Sequence, residues 1–139
     1  MPGTLVVGYD GSDGARAALD EAVKLAKLMG ARVHLAFAFQ SPLWGGELRD
    51  LDEAVEERAH TVLEHGQHQA AASGLEVTTQ FAKIEPAEGI VAIADEVDAD
   101  YVVVGSYGER PLKSAIVGST PTRLLHLCER PLLVIHQKA

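Results

Sequence analysis

Leu5-Val6-Val7-Gly8-Tyr9-Asp10-Gly11-Ser12 sets the terms on which this chain is read. Its first five residues are a short, nearly continuous apolar run, as a strand covered on both faces requires. Asp10-Gly11-Ser12 follows as a turn and cap cluster. From Ser12 the period changes. Ala15, Ala18, Leu19, Ala22, Val23, Ala26 and Met29 recur at three- and four-residue steps, with Arg16, Asp20, Lys24 and Lys27 between them. That spacing predicts an amphipathic helix, with Gly30 as its C-terminal stop.

The alternation continues outward. Residues 33–39 form a second apolar run of strand length, and residues 40–46 read as a loop carrying Pro42 and Gly45-Gly46. Leu48, Leu51, Val55, Val62 and Leu63 mark a long, polar-faced helix to about Ser73, ended by Gly74. Residues 75–81 alternate like a strand with one exposed face. Pro86 opens a third helix, with Ile90, Val91, Ile93, Ala94 and Val97 on its buried side. Residues 101–104 are the most hydrophobic strand candidate, and Gly105 ends them. Residues 106–118 read as a glycine-punctuated loop. Ser119 starts a last helix through Leu124, Leu125 and Leu127, and Pro131 precedes a final strand over 132–135.

The order is β-α-β-α-β-α-β-α-β. Strands that alternate with helices need crossover connections, which build a parallel sheet covered on both faces. The expected fold is therefore α/β, a doubly wound, open, five-stranded parallel sheet with helices on both faces; the Rossmann-like type expected has the strand order 3-2-1-4-5. Its 139 residues suit a single domain over 1–139. Composition agrees, with 47% hydrophobic and 23% charged residues, which excludes a disordered tail or a fibre. Twelve Lys and Arg against twenty Asp and Glu leave a net charge of −8, which disfavours nucleic acid and anionic membranes as partners. Cys128 is the single cysteine, so no internal disulfide framework or multi-cysteine metal site is expected. No run approaches the length of a membrane span, and residues 1–9 lack the pattern of a signal peptide. A soluble, cytoplasmic protein is the expectation.

Open parallel sheets bind ligands outside the carboxyl ends of their strands, where the winding reverses. The loop after the first strand offers Asp10, Gly11 and Ser12. The loop after the fourth offers Gly105-Ser106-Tyr107-Gly108, nine further residues, then Gly118-Ser119-Thr120. Glycines let the backbone approach an anion closely, and Ser119 and Thr120 stand at a helix N-terminus whose N–H groups favour one. Such a constellation can hold a polyphosphate without a lysine. Simpler roles stand beside these: Gly105 and Gly108 as turn formers, Asp10 as a cap, Ser119 and Thr120 as N-caps with Pro121 early in the helix. His60, His65 and His68 fall on the second helix, where the last two share a face, but no further ligand completes a metal site. Cys128 reads as a buried small residue, and Glu53, Glu56, Glu57 and Glu64 as a solvated helix face. The lysine of a Walker-type loop is missing; Lys113 sits in mid-loop, and no Ser/His/Asp set can be assembled.

Gly105-x2-Gly108-x9-Gly118-Ser119, following Tyr101-Val102-Val103-Val104, resembles the nucleotide-binding signature of the universal stress protein family, single-domain type. Val6-Val7-Gly8-Tyr9-Asp10-Gly11-Ser12 is similar to that family's first strand and turn, and Pro131-Leu132-Leu133-Val134-Ile135 to its last strand. The resemblance covers the whole chain and points to the ATP-binding subgroup. It implies ATP (or ADP or AMP) as ligand. Asp10 lies near the adenosine end, Ala38 and Val104 at the adenine slot, Gly105 and Gly108 beside the ribose and phosphates, and Gly118, Ser119 and Thr120 on the phosphates. Mg²⁺ can be held through Asp10, directly or by water. Two departures weaken the match: Ala38 replaces a larger aliphatic residue, and Tyr107 replaces a His or Arg.

The resulting expectation is a nucleotide-responsive regulatory protein of the stress response. It is more sensor than catalyst, with at most weak ATP hydrolysis. The resemblance also implies a homodimer formed through strand 132–135, with further protein partners unidentified. Two alternatives remain open: a slow ATPase or phosphotransferase, and a dimeric interaction protein that works without nucleotide.

Overall fold

Strands β1 (Thr4–Gly8), β2 (Arg32–Ala38), β3 (Val77–Ala82), β4 (Tyr101–Gly105) and β5 (Leu132–Ile135) pair in the computed structural model as one parallel sheet. Their order is β3-β2-β1-β4-β5, the Rossmann-like order expected. The structure describes residues 3–40, 48–106 and 118–136. Between the strands run α1 (Asp13–Met29), α2 (Leu48–Ala71), α3 (Pro86–Glu96) and α4 (Ser119–Leu127).

Side chains alternate across a strand, so each central strand feeds two cores. Leu5 and Val7 join Val33, Leu35 and Val103 beneath α1 and α2. Val6 joins Ala36, Val102 and Val104 beneath α3 and α4, with Ile90, Ile93 and Leu124 packed on them. The second run also carries a polar residue inward. His34 is buried, and its ring nitrogens meet Thr78 Oγ1 at 2.6 Å and Gln80 Oε1 at 3.0 Å, while Gln80 donates to Glu96 at 2.7 Å. That network satisfies the imidazole, which is why it can sit in the core.

The first helix follows its sequence signals closely. Ser12 is the N-cap and accepts from the Ala15 N–H at 3.2 Å; Gly30 closes the helix at φ 69°. Several boundaries move. The Leu75 N–H donates to the Ser73 hydroxyl at 3.1 Å, so the third strand starts at Val77 rather than Leu75. Glu85, not a residue of the usual capping set, caps α3: its carboxylate accepts from the Ala87 and Glu88 N–H groups. On α4 the N-cap is Gly118, with Ser119 already helical, which corrects the N-cap role read for Ser119 and Thr120. Cys128 is the C-cap of α4 and only half-buried, so it is not an interior helix residue. Leu125 and Leu127 lie on the outer side of that helix, 66% and 41% exposed.

β1 and β4 are neighbours, yet α1 and α4 leave them for opposite faces of the sheet. The winding reverses between them, which opens a crevice at their carboxyl ends. Gly105 holds its edge together. A Cβ at this position would lie 2.7 Å from the Gly14 carbonyl carbon and oxygen, inside any tolerable contact. Because the obstruction is backbone, neither partner can rotate away. Gly105→Ala is expected to destabilise the fold by about 2–3 kcal/mol, read as a lower urea midpoint at constant slope. An unchanged midpoint would show that the two backbones can part at little cost.

Candidate functional site

A cleft of about 870 Å³ lies at this reversal point, beyond the ends of β1, β2 and β4. Asp10, Ala38, Val104, Gly105, Gly118, Ser119 and Thr120 all line it, although they come from four separate stretches of chain. Gly108, together with Tyr107 and Lys113, falls outside the described residues.

The turn after β1 forms one wall. Gly11 takes φ 82°, a conformation few side chains tolerate. That bend lets the Asp10 Oδ1 accept from the Ser12 N–H at 3.0 Å while Ser12 caps α1. Asp10 therefore holds the turn rather than capping α1, the role Ser12 takes, and it also borders the cleft.

The floor is apolar and tightly fitted. A Cβ on Gly8 would meet Ile90 Cδ1 at 2.9 Å and Val104 Cγ1 at 3.0 Å, so the sheet and α3 are in close contact beneath the cleft. Gly89 of α3 rests directly on Ala38, where an added Cβ would collide with the Ala38 Cβ. This explains the small residue at 38: α3 has come down onto the end of β2 and occupies the space a larger side chain would need. Pro86 and Ile90 of the same helix extend the apolar wall, and Phe37 and Phe39 also line the cleft.

The fourth-strand side carries the polar donors. The Gly118 N–H is used internally, donating to the Ser106 carbonyl at 2.6 Å, and the Gly118 carbonyl accepts from the Thr122 hydroxyl at 2.9 Å. These bonds fix where α4 begins. Among the described residues no side chain caps its first turn, in contrast to Ser12 on α1 and Glu85 on α3. Pro121 has no N–H to offer. The N–H groups of Ser119 and Thr120, with their hydroxyls, are thus the donors this end of the cleft presents, and the helix dipole adds to them.

Sequence reading missed part of the lining. Ala54, Val55 and Arg58 of α2 border the cleft, and so do Phe39, Pro86 and Ile90. Helical spacing carried the signal for the α2 residues, because 54, 55, 58 and 62 share one stripe. Nothing in the sequence gave the height of that stripe relative to the sheet. Asp10 and Arg58 are the charged residues among those lining the cleft. Among the described residues no group of three or more His, Cys, Asp or Glu side chains is arranged to hold a metal.

A doubly wound sheet with a helix N-terminus opening on its reversal crevice, uncapped by any side chain among the described residues, defines an α/β protein with a candidate anion site. The universal stress protein family model matches residues 1–136, and the chain belongs to that family. Universal stress protein YxiE of Bacillus subtilis is 31% identical over 143 residues, covering 94% of this chain and 97% of that protein. Among solved structures, MJ0577 of Methanocaldococcus jannaschii superposes with TM-score 0.87 at 24% identity over 99% and 98% of the two chains, a likeness of fold. A universal stress protein solved in complex with cAMP gives TM-score 0.76 at 26% identity, covering 98% of each chain. The Archaeoglobus fulgidus protein in complex with dAMP gives 0.66 at 26% over 97% of each.

Tyr9 connects the cleft to the core. Its ring is 2% exposed, its hydroxyl donates to Gln69 Oε1 at 3.3 Å, and Gln69 in turn donates to the Arg16 carbonyl and Asp20. Burial pushes the phenol above its ordinary pKa of 10.0, an effect that nearby Arg16 partly offsets. A raised pKa means the folded state holds this proton more tightly than the unfolded one. Its contribution to stability is complete below pH 10.0 and is lost as the pH climbs through the raised value. Tyr9→Phe is expected to flatten the alkaline fall in stability measured by denaturant titration. Identical slopes for the two proteins above that pH would refute the assignment.

Proposed function

We propose that the cleft binds an adenine nucleotide, with ATP as the leading ligand and ADP or AMP as alternatives. The observation that carries this reading is the first turn of α4, where Ser119 and Thr120 offer N–H and hydroxyl donors and no side chain among the described residues occupies the cap. Relatives of the same fold solved with cAMP and dAMP support an adenine ligand. The base would lie on the apolar wall of Ala38 and Val104, with Asp10 toward the adenosine end. Gly105 and Gly108 would flank the ribose and phosphates, leaving the phosphates at Gly118, Ser119 and Thr120.

The donor set also fits a Mg²⁺ brought in with the nucleotide. Magnesium commonly uses one or two carboxylates, substrate phosphates and several waters. Asp10 is the carboxylate on the cleft, and its Oδ1 is already engaged by the Ser12 N–H. Its other oxygen is the one that would face such an ion, directly or through water.

The function follows as binding and signalling rather than turnover, in a nucleotide-responsive protein of the stress response whose occupancy alters stability or partner contacts. The partner expected first is a second copy of this chain, joined along β5, which lies at the sheet edge with its apolar residues half-buried. An unprotected apolar edge strand invites such pairing. A dimer mass at micromolar concentration is the expected result; a monomer would remove this part of the proposal.

Thermal melting against ATP tests the site. Ligand at about a hundred times its Kd should add roughly 2.7 kcal/mol, or about 8 °C for a chain of this size. Ser119→Asp is the informative variant. An acidic residue in the first helical turn favours the helix itself but repels phosphate. It is expected to keep the unliganded melting temperature and abolish the ATP shift. An equal ATP shift in Ser119→Asp, or none in the native protein at millimolar ATP, would overturn the proposal.

A further inference from the structure

α2 continues past the end of the sheet, and the character of its inner stripe changes there. Val62, Leu63 and Ala70 are buried against the first core, and Ala59 is buried as well. Two close approaches set the height of the helix. Gly66 lies against the Tyr9 ring, where an added Cβ would be 3.0 Å from Cε2, and Gly11 faces Val62, where it would be 3.5 Å from Cγ1. Going from Gly66 to Val62 thus climbs from the ring of Tyr9 to the turn beyond β1. Arg58 is the next position in the same row, four residues and about 6 Å further up the helix. It stands at the level of the Asp10-Gly11-Ser12 turn or just above it, and it lines the cleft.

Arg58 is the single cationic side chain among the described lining residues, in a chain of net charge −8 with the Asp10 carboxylate on the same cleft. A guanidinium presents a planar fork of donors matched to phosphate oxygens, and it stays charged at any working pH. α2 and α4 pack on opposite faces of the sheet, so Arg58 and the Ser119-Thr120 turn approach the cleft from opposite walls. One wall brings neutral N–H donors; the other brings a full positive charge.

We infer that Arg58 is the residue with which the cleft reads the anionic part of its ligand, and so distinguishes a nucleotide from its nucleoside. The inference rests on the nucleotide reading above. It supplies that reading with the cation that Tyr107, in place of a His or Arg, does not provide.

Isothermal titration of adenosine, AMP and ATP into the native protein, Arg58→Met and Arg58→Lys tests it. Removing a charge-assisted contact to phosphate should weaken ATP binding by about tenfold in Arg58→Met. Adenosine affinity should be unchanged. Arg58→Lys should recover part of the loss, and the salt dependence of ATP binding should be shallower in Arg58→Met than in the native protein. Equal ATP affinity in native protein and Arg58→Met would overturn the inference while leaving the nucleotide site standing. Parallel losses for adenosine and ATP would also overturn it, because they would mark a displaced helix rather than a lost charge. Binding of neither ligand by the native protein would overturn the inference and the nucleotide reading together.

Discussion

The backbone of Gly105 at the end of β4 lies against the backbone of Gly14 in the first turn of α1, an approach that a single Cβ would forbid. Much of the site depends on that contact. It draws the start of α1 in over β4, which sets where the Asp10-Gly11-Ser12 turn must run and how wide the crevice between β1 and β4 can be. Small residues along the buried stripe of α1, from Gly14 and Ala15 through Ala18, Ala22 and Ala26, permit the same closeness along the helix. The first glycine of the signature motif is therefore needed by the fold, whatever its part in holding a ligand.

The opposite layer is positioned by different means. Arg123 of α4 bridges to Glu85 at 3.3 Å and to Glu88 at 3.6 Å, at the start of α3. Beyond the far end of that helix, Arg130 reaches Asp95, Asp98 and the Ala99 carbonyl. These pairs are partly or largely exposed, and such pairs contribute little to stability. Ile90, Ile93 and Leu124, all nearly fully buried, supply the packing energy. The ion pairs instead tie α3 to α4 and to the approach to β5. Both Pro86, on the apolar wall, and Ser119, on the donor turn, are held through this α3–α4 layer.

The alternation of strands and helices and the position of α1 were legible, because they follow from continuous apolar runs, a Ser12 cap and a Gly30 stop; the strand order and the crevice at the reversal point follow from the Rossmann-like type, not from any local pattern. Seven of the eight binding residues expected from sequence meet in one cleft. What escaped was set by packing between distant segments. The reason for Ala38 is Gly89, fifty-one positions later, and no local pattern joins them. Glu85 capped a helix without being a usual capping residue. Arg58 was not singled out by any sequence pattern, and it is the contacts of Gly66 and Val62 that give the helix its height. α4 starts at Ser119 as read, but its N-cap is Gly118, tied to Ser106 by a backbone bond that sequence alone does not reveal.

The central claim is that the donors at the start of α4 receive the phosphates of a bound nucleotide. Backbone amide hydrogen exchange, followed residue by residue with and without ATP, tests it most directly. The account predicts slower exchange at Ser119 and Thr120 and in the Asp10-Gly11-Ser12 turn, with no change at the far end of α1 around Met29. Unaltered exchange at Ser119 and Thr120 under saturating ATP, with protection appearing elsewhere, would contradict it.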